Sequence, residues 1–408
     1  MIVAATGSRH GMVIRMTTQA GVGLSRQADS RQAGQEAARL ALQQAGVERA
    51  DWALLFATTT AHRPHFADLL SSVQESLGTQ TLSGCSAFGV LTGHEEAEGE
   101  AAVAVLAVRS TSLTAEPLIG PAGDDRGISA AREIGRRVAD RGGLLLLMPD
   151  PFSLRPDAIV DAIDRAAPGI PAIGAAASSD PMMDRTFQFF GRNVATRSLA
   201  ALHLSGRIHT SVGITQGCQP LGEPCRVTRG TGNLILELDG RPALETLRLR
   251  LPSALRDQVG QLSGHLFVAV SPEAGATSIK PGEYLVRHLL GVDAERGALA
   301  VGTEVRDGQP LLLVLREADA AREDLKQMLD RLAAREAARN AVFGFYFNCA
   351  ARGSSLYGLS GIDTAYISRS FGDLPIVGFF GNAEIAPLHG TSRLFTYTGV
   401  LALVTEEA

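Results

Sequence analysis

The sequence predicts an α/β fold: repeated βαβ-type units forming mixed, largely buried β-sheets flanked by helices, with an antiparallel strand region in the C-terminal half. Three observations predict it. Short apolar runs such as LLLLM lack the polar alternation of a half-exposed strand, as expected of strands covered on both faces. Ala/Arg/Glu-rich stretches of helical length separate these runs. One ordered pattern also recurs three times along the chain.

The first copy has a helix over 31–45, the apolar run WALLFATTT, a helix over 65–77, the short strand in TLSGCSAFGVLTG and the return strand AAVAVLAVRS. The second has a helix over 129–140, GLLLLMPDP, a helix over 156–167, IPAIGAAASSDP and SLAALHLSG. The third has a helix over 320–339, AVFGFYFNCAARG, a helix over 362–371, DLPIVGFFGNAEIAPLHG and FTYTGVLALV. Gly84, Gly174 and Gly378 hold equivalent places, each after two or three apolar residues. The uneven spacing of the copies rules out a solenoid array.

Between copies two and three the character changes. TGNLILELDGRPALETL predicts a strand pair around an Asp-Gly turn, then a helix from near Pro242. HLFVAVSPE, EYLVRHLLGVD, GALAVGTEV and PLLLVLRE follow as mostly antiparallel strands. The turn-rich GCQPLGEPC marks the boundary, giving domains over 20–217 and 218–405 with tight packing between them.

Bulk properties narrow the function. At 408 residues, 45% hydrophobic and 20% charged, the chain has the proportions of a soluble globular protein with a sizeable core. A net charge of −5 and scattered arginines leave no basic footprint for nucleic acid and no block for an anionic membrane. The first residues, MIVAATGSRHGMVIRM, are interrupted by Arg9, His10 and Arg15, so no signal peptide is read. No run reaches the roughly 18 apolar residues of a membrane span. The expected location is cytoplasmic.

Four cysteines without CxxC spacing argue against a disulfide framework and a structural zinc. His62 and His65 form an HxxH with no third ligand evident, and no cofactor is expected. The phosphate-binding patterns GxGxxG and GxxxxGK[ST] are absent, as is the nucleophile elbow GxSxG.

Two constellations remain. Gly84, Cys85 and Ser86 end a strand where backbone amides face a ligand, the alternative being small residues that merely line a strand end. In FYFNCAARGSSLYG, Cys349, Arg352 and Gly353 stand at another strand end, and Gly378, Asn382 and Glu384 belong to the next strand and loop. Ligands bind at such strand ends in α/β sheets, because side chains and free amides converge there. Arg352 is suited to fork a carboxylate, and Glu384 and Asn382 to receive an ammonium, which together fit an amino acid. An Arg352–Glu384 pair that only ties two loops together explains the same spacing. Cys349 or Cys85 as a nucleophile would define a cysteine-dependent enzyme, although no base is identified for either.

From 20 to 405 the chain resembles the FIST sensory domain family. The resemblance rests on AGVGLSRQADSRQAGQEAARLALQQ, LSGCSAFGVLTG, TGNLILELDGRPALETL, FYFNCAARG and LPIVGFFGNAEIAPLHGTSRLFTYTGVLALV in that order. It implies an N-terminal and a C-terminal FIST half acting as an intracellular sensory module for a small ligand such as an amino acid. Family positions match Gly84, Cys85, Ser86 and Gly89 in the first half. In the second half they match Cys349, Arg352, Gly353, Gly378, Glu384, Gly390 and Thr398. With no kinase, cyclase or similar output segment flanking the match, the expected signal passes to a separate partner protein. An adaptor that recognises a protein without any small ligand is the other reading of such a module.

Overall fold

A computed structural model describes residues 18–262, 264–273, 275–280 and 282–407. The N-terminal stretch considered above for a signal peptide, residues 1–17, lies outside the described residues. The chain folds into three six-stranded sheets and one larger, closed antiparallel sheet.

The recurring sequence pattern becomes one strand order repeated three times. In the first sheet the order is Thr18–Ser25, Val103–Ser110, Trp52–Thr58, Leu82–Ala87, Gln188–Phe190, Asn193–Ala195. The second runs Thr114–Pro121, Ser198–Ser205, Leu144–Pro149, Ala172–Ala175, Glu384–Leu388, Thr391–Phe395. The third runs Ile208–Gln216, Thr398–Glu406, Phe343–Cys349, Ile376–Gly381, Gly89–Thr92, Glu96–Glu98. Each sheet has one parallel pair at its centre and antiparallel neighbours on both sides.

The last two strands of every sheet form a hairpin lent by another unit. The first unit's hairpin, Gly89–Thr92 with Glu96–Glu98, completes the third sheet. The second unit's completes the first sheet, and the third unit's completes the second. The exchange is cyclic, and the sequence reading did not anticipate it.

Burial explains the continuous apolar runs. Trp52, Leu54 and Phe56 point to a core shared by all the sheets, while Ala53, Leu55 and Ala57 point to the helices outside. Phe343, Phe345 and Phe347 likewise face the shared core, and Tyr346 faces the third unit's helices. A strand apolar on both faces therefore needs both coverings. The helix Ser30–Ala45 shows how local signals set an element. Asp29 caps it by accepting from the Gln32 N–H, 2.8 Å, and Gly46 ends it at φ 67°.

Gly84, Gly174 and Gly378 sit opposite Leu55, Leu147 and Tyr346 in the three parallel pairs. A Cβ at any of them would run into the carbonyl of that neighbour. The repeated glycine is a packing requirement of each unit.

The third unit differs by an insertion. In the other units the first strand leads within a short loop to the helices Ser30–Ala45 and Ile128–Val138. After Ile208–Gln216, by contrast, the chain leaves at Gly217. It returns at Glu317 to begin the helix Ala318–Ala333. The intervening strands Cys225–Thr231, Leu234–Leu238, Ala298–Val301, Leu285–Asp293, Leu266–Val270 and Pro310–Arg316 pair in that order and close into a barrel. Among the described residues no helix is long and apolar enough to cross a membrane.

Candidate functional site

The strand Phe343–Cys349 is buried throughout, and its C-terminal end points toward the inserted barrel. A tight turn follows, with the Arg352 N–H donating to the Cys349 carbonyl at 2.8 Å. This turn folds the Arg352 side chain inward, where it is 1% exposed.

A buried guanidinium needs a partner, and the partner is Asp363 in the first turn of the helix Ile362–Phe371. Arg352 Nε donates to Oδ2 at 3.2 Å and Nη2 to Oδ1 at 3.3 Å. Tyr346 Oη (2.7 Å) and Asn348 Nδ2 (3.0 Å) also donate to Asp363 Oδ2. Arg352 Nη2 further donates to Tyr357 Oη at 2.8 Å. Burial works against the Arg352 charge, but Asp363 outweighs it and holds the guanidinium firmly protonated.

Glu384 is fully buried at the start of the lent hairpin. Its Oε2 accepts from the Thr398 hydroxyl at 2.7 Å and the Thr398 N–H at 3.2 Å. Burial pushes its carboxyl up to about 8, against the opposing pull of Thr398, Arg352 and the Cys349 side chain. Both Glu384 and Arg352 act on the buried Cys349 thiol. Burial raises its thiol far above the ordinary range, and the Glu384 charge raises it further.

Cys349, Arg352 and Glu384 therefore meet at one strand end. Among the described residues, Arg352 Nη1 and Glu384 Oε1 have no hydrogen-bond partner there. Gln216 Oε1, on the neighbouring edge strand, is also unpartnered.

The barrel closes over this end. Arg316 Nη2 donates to the Ala351 carbonyl and, at 2.9 Å, to Ser355 Oγ. Tyr397, held at φ 61°, packs its ring 4.1 Å from that of Phe267. Its hydroxyl lies 3.1 Å from His288 Nδ1.

The other predicted residues stand elsewhere. Gly84, Cys85 and Ser86 belong to the first sheet, in the strand Leu82–Ala87. The Ser86 hydroxyl donates to the Ser178 carbonyl and accepts from the Phe187 N–H, both at 3.0 Å. Asn382 Nδ2 donates to the Ala177 carbonyl at 3.0 Å. These contacts stitch the three units together where their short central strands end. Gly378 packs on Tyr346, and Gly353, at φ 56°, turns the chain beside the Glu98 carboxylate. The Arg352–Glu384 ion pair envisaged from spacing is replaced by Arg352–Asp363.

Sequence reasoning missed Asp363, Tyr346, Tyr357 and Tyr397. An acid in the first turn of a helix reads as an ordinary N-terminal residue, and nothing local marks it as the partner of a buried arginine. His62, from the HxxH, is buried with Nδ1 3.0 Å from Ser30 Oγ, while His65 is exposed. Among the described residues no group of three His, Cys, Asp or Glu side chains is placed to hold a metal.

Comparison with known proteins gives this architecture a family. Residues 51–241 match the FIST N domain and residues 243–387 the FIST C domain. The chain belongs to the FIST family. FIST domains are sensory domains. Two similar proteins come from Mycobacterium tuberculosis, strains CDC 1551 / Oshkosh and ATCC 25618 / H37Rv. Each is 33% identical over 387 residues, covering 95% of this chain and 99% of the relative. A Mycobacterium bovis protein (strain ATCC BAA-935 / AF2122/97) is 30% identical over the same length, with the same coverage. Each is named only as an uncharacterized protein.

Proposed function

We propose that this FIST protein is a cytoplasmic sensor that binds a small zwitterion, such as an amino acid, at the Cys349 strand end, and that it signals through a separate partner protein. One observation carries the reading: Arg352 Nη1 and Glu384 Oε1, of opposite character, both lack a partner in one buried cluster. Leaving such an atom unsatisfied costs about 1–3 kcal/mol. A ligand with a carboxylate for Arg352 relieves the first cost, and its ammonium relieves the second by displacing the proton that burial otherwise holds on Glu384 near neutral pH. Cys349 then forms a wall of the site, and Gln216 Oε1 offers a further acceptor.

The insertion point supplies a route from binding to signal. The barrel joins the third unit through Gly217 and Glu317 and rests on the Arg352 loop through Arg316. Arg352 and Glu384 are 1% and 0% exposed, so entry of a ligand requires the barrel to shift on that loop. A displaced barrel is a surface that a partner can read. The four free, buried thiols support a reducing compartment.

Calorimetric titration with the twenty amino acids tests the reading. The expected result is saturable binding of at least one of them, weakened about tenfold or more by Glu384→Gln in a folded variant. Absence of binding across the panel, or binding unchanged by Glu384→Gln, overturns it.

A further inference from the structure

The repetition of one unit allows its strand ends to be compared position by position. In the third unit Tyr346 lies opposite Gly378 and Leu401; in the second, Leu147 lies opposite Gly174 and Ala201. Counting three residues outward from these anchors, Asp150 takes the place of Cys349 and Ser198 that of Thr398. In the lent hairpins Ile385 faces Gly174 and Phe189 faces Gly84, so Gln188 takes the place of Glu384.

The match extends to backbone detail. Arg197 stands where Tyr397 stands, and both are left-handed, at φ 54° and 61°. The Tyr397 carbonyl accepts from the Gly217 N–H at 2.9 Å, and the Arg197 carbonyl from the Ala122 N–H at 2.8 Å. In the first unit the corresponding positions are Thr58, Ala102 and Val90, which carry no charge and no amide. Two of the three strand ends are thus built with a buried carboxylate or amide side chain.

The second of these opens to solvent. A cleft of about 550 Å³ is lined by Asp150, Phe152, Ser153, Asp184, Arg185, Thr196 and Arg197. Its floor is fixed: Asp150, 3% exposed, accepts from Thr186 Oγ1 at 2.9 Å, from Ser153 Oγ at 2.5 Å and from the Phe152 N–H at 3.1 Å. Thr186 accepts in turn from Gln188 Nε2 at 3.0 Å, and Gln188 Oε1 is buried without a partner, as Glu384 Oε1 is. At the rim, Arg185 and Arg197 make no ion pair with a described carboxylate, Asp184 included. The Phe152 ring, 47% exposed, forms one wall.

We propose that this strand end of the second unit is a second binding site, for a small organic molecule bearing an oxyanion group, either a carboxylate or a phosphate ester. The two guanidinium groups hold the oxyanion by charge-assisted hydrogen bonds. Phe152 covers the apolar part of the molecule, and the remaining lone pair of Asp150 takes a hydroxyl or amino donor. The site is distinct from the Arg352–Glu384 cluster: it uses other residues and is open where that cluster is closed.

Thermal unfolding of the full chain at fixed ionic strength, with inorganic phosphate in one arm and acetate in the other against chloride, tests the proposal. A saturable rise in Tm is expected with at least one anion, and the arm that gives it identifies the group. The double variant Arg185→Ala/Arg197→Ala, at exposed positions, should lose at least about tenfold in apparent affinity. Arg369→Ala, an exposed arginine on another unit, should leave it unchanged. No saturable shift with either anion, or the same shift in the double variant, overturns the proposal, as does an equal loss in Arg369→Ala.

Discussion

Arg352 forks the carboxylate of Asp363 from a position where neither side chain meets solvent, and Tyr346 and Asn348 donate to the same Asp363 oxygen. A bidentate pair of this kind is stable only while complete, because removing one partner leaves a buried uncompensated charge.

Asp363→Ala is therefore expected to destabilise the fold by about 3–5 kcal/mol. Adding Arg352→Met to that variant should recover part of the loss. Urea unfolding of the single and double variants measures both, and a double variant less stable than Asp363→Ala would contradict the pairing.

Stability should depend on pH through Glu384. Burial raises its folded carboxyl from an ordinary 4.5 to about 8. Between those values the folded chain holds a proton that the unfolded chain has lost. The contribution is thus fully present below about 4.5 and is lost as pH rises through about 8. Glu96, pushed up to about 7 by burial and by the nearby Asp363 charge, acts with the same sign. Unfolding measured from pH 5 to 9 should show stability declining with pH, and Glu384→Gln should flatten the decline.

The thiols should be sluggish. Burial pushes Cys225 to about 11 and Cys218 to about 12, and raises Cys85 and Cys349 as well. A nucleophilic cysteine needs the opposite shift. Iodoacetamide labelling of the native chain at neutral pH should run at least tenfold slower than in denaturant. Rapid labelling of Cys349 alone would revive the cysteine-enzyme reading.

Gly378→Ala places a methyl group against the Tyr346 carbonyl in the parallel pair. A loss of at least about 2 kcal/mol is expected, with a comparable loss for Gly84→Ala and a larger one for Gly174→Ala, whose φ of 142° adds backbone strain. Losses of at least this size at all three sites, read by chemical denaturation, would bear out the equivalence of the units.

The elements and their threefold recurrence were legible because they are written locally. Two-faced apolar runs, helix caps and one glycine per unit are each set by near neighbours. The exchanged hairpins were not legible. The stretch GVLTG that carries Gly89–Thr92 looks the same whether it pairs with its own sheet or with Ile376–Gly381 far along the chain. The candidate cluster was legible only in part for the same reason. Cys349 and Arg352 share a turn and announced themselves, and Glu384 followed from the next loop. Asp363 owes its role to a packing geometry that no spacing encodes, so the partner of Arg352 was misplaced.

The cyclic exchange has a consequence for synthesis. The hairpin from Gly89 to Glu98 is synthesised well before its strand partner Ile376–Gly381, which lies far along the chain. The second sheet waits in the same way for Glu384–Leu388. Until the C-terminal unit emerges, the nascent chain carries open sheet edges that invite pairing with the wrong strand. The first unit is therefore complete only once the third has formed, and a truncation near residue 370 would leave the hairpin from Gly89 to Glu98 without its sheet.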